Sequence, residues 1–298
     1  WALPIIDRLG AGGSGEILRA YRRDDHQQEV VILKRLLQNL RGNAEAIEYF
    51  ETEADLGRHL THPNLVKQLG VGLHNEELFI VLEYVDGPTL SALIKKIREL
   101  ELQFPLPLGL YILEKILDGL HYAHEVTTPD GENLNLVHRD VNPHNIFLSQ
   151  AGDIRLADFG VARLQSLEGG RPEDIAYGKL GYISPEQLYN HPIDRRTDIF
   201  ALGVLAYEML VGAHPFVREG DSDETVAERI LHSDYPPIGL SYPELPTAIA
   251  QVLQKALEPK PKKRFQTAHA MKIAIAPFIP SSFKGKESLQ RTIRQVFF

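Results

Sequence analysis

The chain contains no cysteine. Disulfides, thiolate zinc centres and cysteine nucleophiles are therefore excluded together. The absence fits a reducing compartment without requiring one. Long hydrophobic runs are also missing. The longest apolar stretch, Ile199–Tyr207, ends at Glu208, whereas a bilayer span needs about 18–20 such residues. A buried helix is expected there, and no membrane segment in the chain. No leader pattern opens the sequence, and its first residue is Trp1 rather than Met, so a piece of a longer chain is expected. Positive charge is the scarcer sign: 32 Lys and Arg face 40 Asp and Glu, for a formal charge of −8. Nucleic acid is not an expected partner, because sequence-independent binding needs a basic face. An anionic ligand would need local cations acting against the overall field. The expected location is the cytoplasm, or the cytoplasmic part of a larger protein.

What remains is an ordinary globular composition. Apolar residues make up 43% and charged residues 24% of 298 positions, enough for a normal core and for one large domain or two lobes. Up to residue 85 the chain reads mostly as strands. Ile5–Leu9 and Glu16–Tyr21 flank a glycine cluster, Glu29–Leu36 is rich in β-branched residues, and Val66–Gly72 and Leu78–Val85 flank a polar turn. Between them, Asn43–Leu60 carries Ala46, Phe50, Ala54 and Leu60 at helical spacing. After Asp86-Gly87-Pro88 the pattern becomes helical, with helices expected at Leu90–Glu101, Leu108–Glu125, Pro185–Tyr189, Asp198–Val211, Glu224–His232, Thr247–Leu257 and Ala268–Ala276. Pro277–Lys286 reads as a linker and Ser288–Phe298 as a short helix that packs back or mediates pairing; the oligomeric state stays open. The expected organisation is a small lobe over residues 1–85, a larger lobe over 86–278 and a tail over 279–298. A crevice between two lobes is a usual place for a small-molecule site.

Three groups of residues could carry chemistry. Gly10, Gly12 and Gly15 lie between two strands, where glycines let backbone N–H groups approach phosphates. A plain hairpin turn is an equal reading, and a dinucleotide fingerprint is disfavoured because that pattern opens a helix. Lys34 ends the apolar run Val30–Leu33, where a buried ammonium needs an anionic partner, or else reaches solvent at a strand edge. Glu53 lies 19 residues on, in the expected helix. Asp140 and Asn145 share a loop between strand-like Asn135–Val137 and Ile146–Leu148. A carboxylate there can accept a hydroxyl proton, and an amide oxygen can ligate a hard cation. Asp158, followed by Phe159-Gly160, again ends a strand at a turn.

In this order and spacing the residues resemble the eukaryotic-type protein kinase catalytic domain, over about residues 3–278. The motifs are Gly10/Gly12/Gly15, Lys34, Glu53, Glu83-Tyr84-Val85, His138-Arg139-Asp140 with Asn145, Asp158-Phe159-Gly160, Ser184-Pro185-Glu186, Asp198 and Arg264. The chain most resembles bacterial Ser/Thr kinases, with His62-Pro63-Asn64 and His214-Pro215-Phe216. The resemblance implies an α+β, bilobal fold: a small antiparallel β lobe with one helix and a larger α-helical lobe. It implies ATP and Mg2+, or Mn2+ in its place, and transfer of the γ-phosphoryl group to Ser/Thr hydroxyls of an unidentified protein substrate. Lys34 would hold phosphates and pair with Glu53. Asp140 would accept the substrate proton, and Asn145 and Asp158 would hold the metal. Glu83 and Val85 would bind the adenine edge, Leu82 would guard its rear, and Leu9, Ile17, Ile32 and Phe147 would enclose the ring. Glu186 with Arg264, and Asp198, would be structural.

Several positions depart from that pattern. Asn142 stands where Ser/Thr kinases usually carry Lys, and Lys179 where Thr usually follows Gly178. An exchange, in which Lys179 supplies the missing cation, is one reading; a solvent or peptide contact for Lys179 is the other. Ile32 replaces a usual Ala, which predicts a narrow adenine slot. Gly57 replaces an apolar residue expected to stack on Phe159, which predicts a mobile helix. The segment Asp158–Glu186 contains no Thr, and Asp174 or Glu173 is a candidate permanent anionic partner for Arg139. Asn142, Gly57 and the Thr-free segment support an alternative: a pseudokinase, a nucleotide-binding or scaffold module with little or no phosphotransfer.

Overall fold

The computed structural model describes residues 3–12, 15–24, 27–74, 77–128, 130–159 and 180–298. Five strands form one antiparallel sheet in the order β1 (Ile5–Gly12), β2 (Gly15–Asp24), β3 (Gln27–Leu36), β5 (Glu77–Glu83) and β4 (Gln68–His74). Ile17 pairs with Lys34, Lys34 with Ile80, and Ile32 with Leu82. Cross-strand partners share a face, so the period of two puts Ile17, Ile32, Lys34, Ile80 and Leu82 on one side. Leu18, Ala20, Val31, Leu33 and Val81 form a buried cluster on the other. Helix α1 (Ala44–Gly57) lays Ala46, Phe50 and Ala54 against Leu36 and Ile80. Its start is capped by Asn43, whose side chain accepts the Ala46 N–H at 3.0 Å.

The second lobe is helical. Along the chain follow α2 (Leu90–Glu99), α3 (Leu106–Glu125), the hairpin of β6 (Ile146–Leu148) and β7 (Ile154–Leu156), α4 (Pro185–Leu188) and α5 (Arg196–Val211). Then come α6 (Asp223–His232), α7 (Ile238–Ser241), α8 (Thr247–Ala256), α9 (Ala268–Ile275) and α10 (Gly285–Phe297). Helix α5 contains the longest apolar run and is buried on nearly all sides, as a helix hydrophobic all round must be. The α+β bilobal expectation holds. Among the described residues, no helix is long and apolar enough to cross a membrane.

The lobes join where residues 86–89 lie against β6. Leu148 N–H donates to Pro88 O at 2.9 Å and Gln150 N–H to Asp86 O at 2.7 Å. A Cβ at Gly87 would collide with the Leu148 carbonyl oxygen, so the close approach requires glycine. One expected strand does not form: Asn135 sits at φ 47, with its N–H bonded back to the Asn133 side chain, so 135–137 is a turn-led loop.

The tail packs back. Helix α10 begins at Gly285, inside the segment that reads as a linker, and buries Leu289, Ile293 and Val296 in the large-lobe core. Lys286 pairs with Asp153 at 2.8 Å and Gln290 donates to Ala151 O at 2.9 Å, clasping the β6–β7 turn. Leu289→Ala, at a fully buried position, is expected to destabilise the protein by about 2–5 kcal/mol, read as a lowered urea midpoint. An unchanged midpoint would show that α10 adds nothing to the core.

Candidate active site

The glycine cluster forms the β1–β2 hairpin, with Gly10 opposite Ile17 and Gly12 opposite Gly15. Gly15 lies over the stem of Lys34: a Cβ there would stand 3.2 Å from Lys34 Cε. Leu9 sits at a bulge in β1 and is 51% exposed. Lys34 itself is 3% exposed. Its Nζ donates to Glu53 Oε1 at 2.5 Å and to Asp158 Oδ1 at 3.1 Å. Burial works against the ammonium charge, but Asp158 and Glu53 outweigh it and hold the lysine pKa above its ordinary value. Strand β3, helix α1 and the segment after β7 thus meet at one nitrogen. The edge-strand alternative for Lys34 falls.

The hinge is braced from both lobes. Glu83 Oε1 accepts Lys67 N–H at 2.8 Å and lies 3.2 Å from Arg155 Nε, on β7. Leu82 is the next residue inward, beside Ile32 across the sheet. Val85 follows the end of β5, and Phe147 on β6 bridges to Thr89.

The loop around Asp140 is assembled by buried polar groups. Asp198, fully buried, accepts His138 N–H at 2.8 Å, Arg139 N–H at 2.7 Å and the His124 ring at 2.8 Å. Burial alone would raise the Asp198 pKa; His124 and the loop amide outweigh it and hold it below the ordinary value. These bonds support Arg139 at φ 68, a left-handed conformation unusual for a residue with a side chain. Asp140 is gripped from two sides: Asn142 Nδ2 donates to Oδ1 at 2.8 Å and Asn145 Nδ2 to Oδ2 at 3.0 Å. Asn142 Oδ1 accepts His144 N–H at 2.9 Å, and Asn142 is 1% exposed. Its side chain is committed to holding the carboxylate. Ala157 N–H donates to Asn145 O at 2.8 Å and the His138 ring meets Ala157 O at 2.8 Å, tying this loop to the approach to Asp158. Asp158 sits at φ 62, and Phe159 packs edge-on to His138 at 4.4 Å.

The sequence-read residues Lys34, Glu53, Asp140, Asn142, Asn145 and Asp158 therefore belong to one connected network. Lys179, Asp174 and Glu173 lie outside the described residues, as does Gly160. Three participants escaped the sequence reading. His124 is one of two histidines in an amphipathic helix, Arg155 is one charge in a short strand, and Gln68 is one of two polar residues at the ends of an otherwise apolar strand. None has a local signal that marks it. Gly57 also takes a different meaning. It closes α1, and a Cβ there would run into the Gln68 side chain, which donates to Ala54 O at 2.7 Å.

The donors fit a hard divalent cation. Asn145 and Asp158 offer amide and carboxylate oxygens, while Glu53 and Asp158 share one ammonium and leave negative charge in excess. Among the described residues, no group of three or more His, Cys, Asp and Glu is gathered for a metal. A cation here would take its remaining oxygens from phosphates and water, as Mg2+ does.

Comparisons with known proteins point to one family. The model of the protein kinase domain matches residues 4–276. Tyrosine-protein kinase MasK of Myxococcus xanthus is 35% identical, over 96% of this chain and 44% of its own length. Serine/threonine-protein kinase PrkC of Bacillus subtilis is 30% identical, over 91% of this chain and 39% of its own. The chain thus spans less than half the length of these curated relatives. The crystal structure of the Mycobacterium tuberculosis PknI kinase domain superposes with a TM-score of 0.67 at 25% identity, covering 92% of this chain and 95% of that one.

Below the site, Arg264 grips Glu186 at 2.7 and 2.8 Å, and Thr197 Oγ1 donates to Glu186 at 2.8 Å. Burial pushes the Glu186 carboxyl up, but these donors outweigh it and hold its pKa below the ordinary 4.5. A depressed carboxyl contributes stability above its unfolded pKa and loses it as pH falls through the folded value. Glu186→Gln is expected to cost about 3–5 kcal/mol at neutral pH, because Arg264 stays buried without its counter-charge. The gap from wild type should narrow as pH drops below 4.5. Urea unfolding from pH 7 to pH 3.5 reads this directly, and a pH-independent gap would show that charge is not the source.

Proposed function

The chain belongs to the protein kinase family, and on that premise we propose that it is the catalytic unit of a protein that transfers the γ-phosphoryl group of ATP to Ser/Thr hydroxyls of a protein substrate. The observation that carries this reading is the meeting of Lys34, Glu53 and Asp158 at one nitrogen, with Asp140 held next door by Asn142 and Asn145. A module kept only for scaffolding has no need of a carboxylate gripped on both oxygens between two residues held at positive φ.

The roles follow from the chemistry. Residues 1–85 cover the nucleotide, 86–278 carry the catalytic loop, and 279–298 brace the large lobe. Gly10, Gly12 and Gly15 close over the phosphates, and Lys34, kept charged and aimed by Glu53, orients them. Leu9, Ile17, Ile32 and Phe147 enclose adenine, with Leu82 behind and Glu83 and Val85 along its edge; the Ile32 side chain narrows that slot. Asp140 accepts the hydroxyl proton of the substrate. Asn142 and Asn145 fix both of its oxygens, so no reorientation is needed as the proton moves. Asn145 and Asp158 would hold Mg2+, which neutralises charge developing on the phosphates. The reading implies a cytoplasmic location for this part of the protein.

Asp140→Asn is isosteric and removes the base, at the cost of turning one of the two accepting oxygens into an NH2 that faces an Asn142 or Asn145 donor. We expect turnover of labelled ATP to fall by about 10²–10⁴-fold, with nucleotide affinity retained. Equal turnover by the two proteins would end the reading. Phospho-amino-acid analysis of the product is expected to give phosphoserine and phosphothreonine. One observation favours a phenolic acceptor instead: a 35% identical relative is named a tyrosine-protein kinase. Phosphotyrosine alone would decide for it.

Asn142 leaves no lysine beside the transferring phosphate, and we assign that charge to Lys179. Lys179→Met is then expected to lower kcat by about 10²–10³-fold. An unchanged rate would leave Lys179 to solvent or substrate.

A further inference from the structure

Glu53 must be held in place if it is to aim Lys34, and α1 has an unusual fastening at the position next to it. Arg58 N–H turns to Asp55 O at 3.3 Å, tightening the last turn of the helix. The Ala54 carbonyl takes Gln68 Nε2 at 2.7 Å instead. Gln68 reaches it through the space over Gly57, where a Cβ would stand 2.8 Å from Gln68 Cδ. On β4 the same residue pairs with Leu82, and a bulge between Gln68 and Gly70 re-aims the strand there. One side chain therefore joins the sheet at the rear of the adenine slot to the residue after Glu53.

We propose that Gln68 is a positioning residue for the Lys34–Glu53 pair, and that Gly57 is the cradle its amide requires. An apolar contact tolerates sliding, whereas a hydrogen bond fixes direction and distance. The device sets the axial position of α1 and thereby whether Glu53 reaches Lys34. It rests on the catalytic role given to that pair above.

The test is a double-mutant cycle on the protein assayed with labelled ATP and casein as a generic hydroxyl acceptor. Gln68→Glu keeps the shape but sets a carboxylate oxygen against the Ala54 carbonyl. A neutral hydrogen bond of this kind corresponds to roughly 2- to 13-fold in an equilibrium, so kcat/KM is expected to fall about 5-fold. Gly57→Ala evicts the amide without touching its donor and is expected to give a similar loss, although Ala is the better helix former. In a Glu53→Gln background, Gln68→Glu is expected to cost less than 2-fold, because the pair it serves is already broken. Hydrogen exchange of α1 amides, read without turnover, is expected to quicken in both variants. Equal loss in both backgrounds, or wild-type rates for Gln68→Glu and Gly57→Ala, would overturn the proposal while leaving the pair's role intact. If Glu53→Gln alone is silent, the role of the pair fails instead.

Discussion

A single buried ammonium organises this molecule. Lys34 belongs to the sheet, Glu53 to the helix beside it and Asp158 to the other lobe, and all three are brought within hydrogen-bond reach at one nitrogen. Burying any of these charges alone would be prohibitive. The fold must therefore deliver them together, and the ordering of β3, α1 and the strand before Asp158 serves that delivery. One cation between two carboxylates is also incomplete. The imbalance is a local preference for further positive charge in a chain whose formal charge is −8.

The large lobe solves a related problem with backbone groups. The loop bearing Asp140 has little regular structure, so its N–H groups need partners from elsewhere. Asp198 supplies them from the first turn of a helix buried on nearly all sides, and Gln187 Nε2 adds a bond to Arg139 O at 3.1 Å. Glu186 and Arg264 fasten the neighbouring segment to the same helix. Rigidity at the Asp140 carboxylate, the proposed proton acceptor, is thus borrowed from a deeply packed element of the protein.

Much of this was readable in the chain. Lys34, Asp140, Asn145 and Asp158 stood out because their order and intervals repeat a known pattern, and α1 because Ala46, Phe50 and Ala54 recur at helical spacing. The contacts that tune the site were not. Gly57 reads as a weak point in a helix until Gln68 is seen to occupy its vacancy, and strand-to-helix contacts leave no periodic trace. Asn142 read as a missing charge, whereas it holds Asp140 by a hydrogen bond to a residue two positions away. The tail had apolar spacing in Leu289, Ile293 and Val296, but which surface would receive it depended on α2, α3 and the β6–β7 turn converging.

Arg139 and Asp158 both lie at positive φ, at 68 and 62. Such backbone costs of order 1–3 kcal/mol at each residue and is tolerated only where surroundings enforce it. Glycine at either position would relax that tension, partly offset by the freedom it gives the unfolded chain. Directed evolution for heat resistance alone would therefore be drawn toward the very positions beside the proposed catalytic groups, and on that reading a screen blind to turnover would enrich sturdier but idle variants.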